Sequence, residues 1–93
     1  WSPASTAETG LLEPTDWTAR AVAPSWDEDP EALRRPPLVR RDFPLERTVR
    51  EARLYVTAHG LYEVEINGQR IGREALAPGW TVYGQRLRYS TYD

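Results

Sequence analysis

Residues 52–72 read ARLYVTAHGLYEVEINGQRIG, and the pattern of this stretch decides the fold class. Leu54, Val56 and Ala58 alternate with Arg53, Tyr55, Thr57 and His59, the period of two of a half-buried strand. Gly60 breaks the run. Alternation resumes with Tyr62, Val64 and Ile66 on one face and Leu61, Glu63 and Glu65 on the other. Asn67-Gly68 follows, a strong hairpin signal because both residues tolerate the positive φ of a type I′ turn. A two-residue loop there sets Ile66 opposite Gln69, Glu65 opposite Arg70 and Val64 opposite Ile71. Glu65 and Arg70 then face each other as opposite charges, and Val64 and Ile71 as an apolar pair. Turn chemistry and alternation agree on this one register.

Working outward, residues 73–77 are a short connection, and Pro78-Gly79 has the order a type II turn prefers. Residues 80–83 and 87–92 read as two further short strands joined around Gly84-Gln85. Upstream, residues 38–45 alternate and predict a strand ending near Pro44, with Pro36, Pro37 and Pro44 confining it to an edge. Residues 17–22 predict another short strand, with Thr15 or Asp16 capping the turn before it. Between these, residues 24–37 are rich in turns and charge: Asp27-Glu28-Asp29-Pro30 is followed by Glu31-Ala32-Leu33-Arg34-Arg35, with room for one helical turn at most. Residues 1–10 are small and polar and read as a linker or the tail of a preceding domain; residues 11–93 form the module. Short strands separated by Pro and Gly turns, with no long helical pattern, predict an all-β, antiparallel β-sandwich. The chain stops at Asp93 straight after a predicted strand, with few strands left for a covering sheet. The expectation is therefore an incomplete sandwich, a fragment.

Composition narrows the function classes. With no cysteine among its 93 residues the chain can have no disulfide framework and no thiolate metal site. A net charge of −2 argues against a nucleic-acid partner held through phosphates. No apolar run is long enough to span a membrane, no signal-peptide core follows the N-terminus, and the compartment stays open. All twelve basic residues are arginine, which we read as codon bias rather than as a site. Four tryptophans and five tyrosines are many for this length, and such side chains fill cores or stack on ligands.

The segments Ala52-Arg53-Leu54-Tyr55-Val56, Gly60-Leu61-Tyr62-Glu63, Ile66-Asn67-Gly68, Ile71-Gly72, Leu76-Ala77-Pro78-Gly79-Trp80-Thr81 and Arg86-Leu87-Arg88-Tyr89-Ser90-Thr91-Tyr92-Asp93 carry a resemblance. So do Asp16-Trp17 upstream and Arg40-Arg41-Asp42-Phe43. Together they resemble the N-terminal β-sandwich module of bacterial α-L-rhamnosidases, glycoside hydrolase family 78. The resemblance implies a sandwich of jelly-roll or galactose-binding-like type. It also implies that catalysis belongs to a separate helical barrel domain, because glycoside hydrolysis needs two carboxyl groups flanking the scissile bond. The chain alone is then not an enzyme but an accessory module. Its partners would be the catalytic domain, a rhamnose-containing glycan in the carbohydrate-binding alternative, or another chain meeting its open strand edges as a stand-alone interaction module. No cofactor is implied, except calcium in the sugar-binding alternative. Calcium takes several oxygen ligands; the sequence has no Asp-Asn pair to hold it, the nearest analogue being Glu65 with Asn67, and Asn67 is better explained by the turn.

The residues proposed to bind sugar are Trp80, Tyr83 and Tyr92, an aromatic platform for a sugar ring. Core packing is the competing expectation, strongest for Trp80 at the start of a strand. Tyr89 is weighed with them. Asn67, Gly68, Pro78 and Gly79 are read as structural turn residues. No catalytic or metal residue is assigned. His59, the single histidine, faces away from Leu54, Val56 and Ala58 and is expected to make a surface or second-sheet contact. The acidic run at residues 27–29, the face of Glu63 and Glu65, and the pairs Arg34-Arg35 and Arg40-Arg41 are read as solvated surface.

Overall fold

The computed structural model describes residues 2–27, 29, 31–33 and 35–93. Trp1, Glu28, Pro30 and Arg34 lie outside the described residues. With them go part of the predicted N-terminal linker, of the acidic run, of the charged turn and of the first arginine pair. The chain divides into two units, Trp1–Pro44 and Leu45–Asp93.

Among the described residues, the second unit holds every strand. β1 (Leu54–Thr57) pairs antiparallel with β4 (Tyr89–Tyr92), and β2 (Val64–Ile66) pairs antiparallel with β3 (Gln69–Ile71). The hairpin has the register predicted for it: Val64 opposite Ile71, Glu65 opposite Arg70, Ile66 opposite Gln69. Asn67 at φ 52° and Gly68 at φ 76° supply the two positive values of the turn. In the other sheet Leu54 lies opposite Tyr92, Tyr55 opposite Thr91, Val56 opposite Ser90 and Thr57 opposite Tyr89. Alternation puts Leu54, Val56, Ser90 and Tyr92 on one face and Tyr55, Thr57, Tyr89 and Thr91 on the other. Tyr55 and Tyr89, diagonal neighbours, meet edge to face with centroids 6.0 Å apart. The Thr57 hydroxyl donates to the Arg88 carbonyl at 2.5 Å, fixing the entry to β4.

The chain is thus all-β and antiparallel, with no α-helix among the described residues, as the sequence predicts and as an incomplete sandwich requires. The interior is small. Among the described residues Ala77 (8% exposed) and Thr81 (7%) are the buried ones, and β1 is half-buried along its whole length.

Three predicted strands do not form. Residues 80–83 lead instead into a turn, in which the Val82 carbonyl accepts the N–H groups of Gln85 (2.9 Å) and Arg86 (3.0 Å). Those bonds commit the backbone locally, leaving no ladder to join. Pro78-Gly79 does turn the chain, with Gly79 at φ 87°; the Ala77-Pro78 peptide is cis. Upstream, residues 17–22 and 38–45 are irregular. Alternation makes a strand only where a partner accepts its ladder, and the prolines at 36, 37 and 44 withhold donors from one. Within 38–45 the Arg40 guanidinium turns onto the Asp42 carboxylate, 3.1 Å away. Among the described residues, the regular element of the first unit is a 3-10 turn, Pro14–Asp16. Asp16 does serve as a cap, its carboxylate accepting the N–H groups of Leu12 (3.1 Å) and Glu13 (3.0 Å).

Candidate functional site

Beyond β1 the chain reverses at Gly60, whose φ of 120° is open to glycine alone. Two residues on, the Tyr62 N–H donates to the Ala77 carbonyl at 3.0 Å. This bond ties the loop carrying Trp80 and Tyr83 to the end of β1, where His59 stands. Three rings gather there. His59 stacks on Tyr83 with centroids 5.3 Å apart and planes 14° from parallel. Tyr83 in turn meets Trp80 at 6.3 Å and 29°.

Trp80 is 85% exposed, which corrects the expectation that it packs in the core. The small side chains of Ala77 and Thr81 take the inward positions of this loop, and the large ring is left outside with Tyr83 as its support. Of the three residues proposed to bind sugar, the structure therefore brings together Trp80 and Tyr83 and not Tyr92. His59, expected at a surface contact, is the third member of the row. The sequence signal for it was only its place, on the Tyr55 and Thr57 side just past β1.

Tyr92 belongs to a different cluster. Its hydroxyl lies 3.1 Å from that of Tyr62. Its ring lies so close to Gly72 that a Cβ there would approach Cε1 to 2.6 Å. The Tyr62 phenol is pushed up to about 12, first by burial and further by the hydroxyl and charge of Tyr92 and by the charge of Glu74; a hydrogen bond to Ser90 opposes them. It is a neutral phenol throughout the physiological range. The Glu74 carboxylate accepts the Arg73 N–H at 3.0 Å. This cluster fastens the exit of the hairpin to the Leu54, Val56, Ser90 and Tyr92 face of the other sheet.

Several carboxylates meet nearby partners. Glu63 pairs with Arg70 at 3.2 Å, and Asp93 pairs with Arg53. Glu65 faces Arg70 in register as expected, and the Arg70 guanidinium makes its ion pair with Glu63 on the diagonal. Arg70 also reaches the Glu74 carbonyl at 3.3 Å, and its long stem spans the diagonal. No three His, Asp or Glu side chains gather into a metal-binding group among the described residues. Asn67, half of the Glu65 and Asn67 pair considered for calcium, sits in the hairpin turn. In the first unit, an open hollow is lined by Trp26, Asp29, Leu33, Arg35 and Pro37 among others.

The class these features define is an all-β module with an exposed row of stacked rings. Residues 47–93 match the family described as the α-L-rhamnosidase N-terminal domain, and the chain belongs to that family. Three curated relatives, each described as an α-L-rhamnosidase, are similar to it. One from Streptomyces avermitilis is 44% identical over 88 residues, covering 88% of this chain and 8% of the relative. One from Alteromonas sp. (strain LOR) is 41% identical over 99 residues, and one from Formosa agariphila 37% over 99; each covers all of this chain and 11% of the relative. The chain thus spans about a tenth of the length of the relatives it matches. No solved structure matches it.

Proposed function

We propose that this chain is a non-catalytic accessory module of an α-L-rhamnosidase, whose hydrolysis of terminal α-L-rhamnose is carried out by another part of the polypeptide. The module packs against the catalytic domain and holds it in place. The observation that carries this reading is the engagement of five of the carboxylates. Hydrolysis by the usual route needs two carboxyl groups held apart, about 5–5.5 Å for retention or 6.5–9.5 Å for inversion, across a substrate cleft. Here Glu63, Asp93 and Asp42 face arginines, and Asp16 and Glu74 face backbone N–H groups. The test is kinetic, on the full-length protein with an aryl α-L-rhamnoside. Glu63→Gln, Glu65→Gln, Glu74→Gln and Asp93→Asn, made singly, should leave kcat near wild type. A fall of about a hundredfold or more in any of them, the scale of a lost acid–base group, would overturn the reading.

A second reading, L-rhamnose binding on the aromatic row, is favoured by the exposure of Trp80 over Tyr83. Such a ring offers its face to the C–H side of a sugar. Tyr92, engaged with Tyr62, contributes to this reading only by supporting the sheet. Calorimetry of the full-length protein with L-rhamnose, with and without calcium, tests it. Heat of binding lost in Trp80→Ala supports sugar binding at the row, and identical titrations of wild type and variant rule it out.

A further inference from the structure

The loop at residues 76–82 is built inside out. Ala77 and Thr81 are its buried residues, whereas Leu76 (70% exposed), Trp80 and Val82 (60%) stand in solvent. An isolated exposed leucine is unremarkable, but an exposed tryptophan flanked by two exposed aliphatics in one seven-residue loop is not. The loop is also held in this form. Ala77 is tied through its carbonyl to Tyr62, Val82 through its carbonyl to Gln85 and Arg86, and Trp80 rests on Tyr83. Leu76 keeps a φ of 59°, a left-handed conformation that a branched side chain rarely adopts and that surrounding structure must impose. The Arg88 guanidinium lies over Gly79, within 3.2 Å of where a Cβ would stand, so a cation edges the apolar loop. A large aromatic anchor, pre-ordered and rimmed by arginine, is the composition of a protein-binding hot spot.

We propose that the 76–82 loop is the surface by which this module docks onto the remainder of its own polypeptide, Trp80 entering an apolar pocket whose rim carries carboxylates that meet Arg88. This inference rests on the accessory-module reading and names the surface that reading needs. The occupant follows from length: the relatives are about nine to twelve times longer than this chain, and a tethered partner is present at high effective concentration. Chemistry favours protein over sugar as well. Leu76 and Val82 offer no hydrogen bond to a sugar hydroxyl, whereas an apolar protein surface asks for none.

The test is oxidative footprinting of the tryptophans in the full-length protein, read by mass spectrometry, without sugar and again with L-rhamnose and calcium. Judged by their exposures here, Trp80 (85%) should oxidise faster than Trp26 (57%). Docking reverses that order, leaving Trp80 several-fold slower than Trp26 in the absence of sugar. Trp80 oxidising faster than Trp26 in both conditions overturns the proposal. So does protection of Trp80 that arises only when rhamnose is added, which assigns the ring to sugar instead. Either failure leaves the carboxylate kinetics above untouched, so loss of the docking surface and loss of the accessory reading are told apart.

Discussion

Gly72→Ala probes the junction between the two sheets. Gly72 follows β3 with φ at 83°, and a Cβ added there would lie 2.6 Å from Tyr92 Cε1, 3.1 Å from Tyr92 Cζ and 2.6 Å from Glu74 Oε2. Left-handed backbone costs an alanine about 1–2 kcal/mol. Crowding adds a second cost. The Glu74 carboxylate is the end of a flexible side chain and can swing away, giving up the Arg73 N–H. The Tyr92 ring cannot move so freely: its backbone is paired with Leu54 and its hydroxyl lies against Tyr62. Overpacking against a fixed neighbour costs about 1–3 kcal/mol, which brings the total to about 2–5 kcal/mol. Two other glycines separate the contributions. Gly68, at φ 76° with open space around it, should show the backbone cost alone, about 1–2 kcal/mol on Gly68→Ala. Gly84, with open space and no left-handed φ, should be unchanged or stabilised by about 0.5 kcal/mol on Gly84→Ala. Native-state hydrogen exchange of the β1 and β4 amides, beside that of the β2 and β3 amides, gives the opening free energies of both sheets. Equal losses for Gly72→Ala and Gly68→Ala would refute the reasoning, because the Tyr92 ring would then not be held against residue 72.

Tyr62 carries a pH signature. Its folded pKa of about 12 lies above the ordinary 10.0, so its stabilisation is full below pH 10 and is lost as pH rises through 12. With partial solvent screening the loss is about 1 kcal/mol, and melts at about pH 9 and about pH 11.5 should converge in Tyr62→Phe relative to wild type. Among the described residues the buried Thr81 hydroxyl has no hydrogen-bond partner, so Thr81→Val should be neutral or stabilising by about 1 kcal/mol in a chemical melt. A loss of more than about 1 kcal/mol would show that the hydroxyl has a partner in the full-length protein. In the 93-residue chain by itself, Trp80→Ala should leave the opening free energy of β1 and β4 within about 0.5 kcal/mol, since the ring is mostly in solvent there. A larger loss would make Trp80 a packing residue after all.

The hairpin was fully legible in the sequence because all its determinants are local. Asn67-Gly68 sets the turn, the turn sets the register, and alternation assigns the faces. β4 was legible as a strand but not as the partner of β1, since nothing local in residues 89–92 names a partner more than thirty residues away. The strand readings at 17–22, 38–45 and 80–83 failed for the complementary reason. Alternation marks a chain that can be half-buried, while a ladder partner decides whether it becomes a strand. The aromatic row was half legible. Trp80 and Tyr83 stood out by type, but His59 joins them only because Tyr62 N–H meets the Ala77 carbonyl, a contact between loops. The exposure of Trp80 was hidden for the same reason: the sequence shows a large ring at a turn, and only the folded loop shows that Ala77 and Thr81 have taken the inside.

The account stands or falls on whether the chemistry of rhamnoside cleavage lies outside these 93 residues. The direct measurement is incubation of the chain, by itself, with an aryl α-L-rhamnoside while release of the aryl group is followed. The prediction is a rate no greater than that of buffer. Turnover by the chain alone, abolished when one of its own carboxylates is changed to the amide, would contradict it.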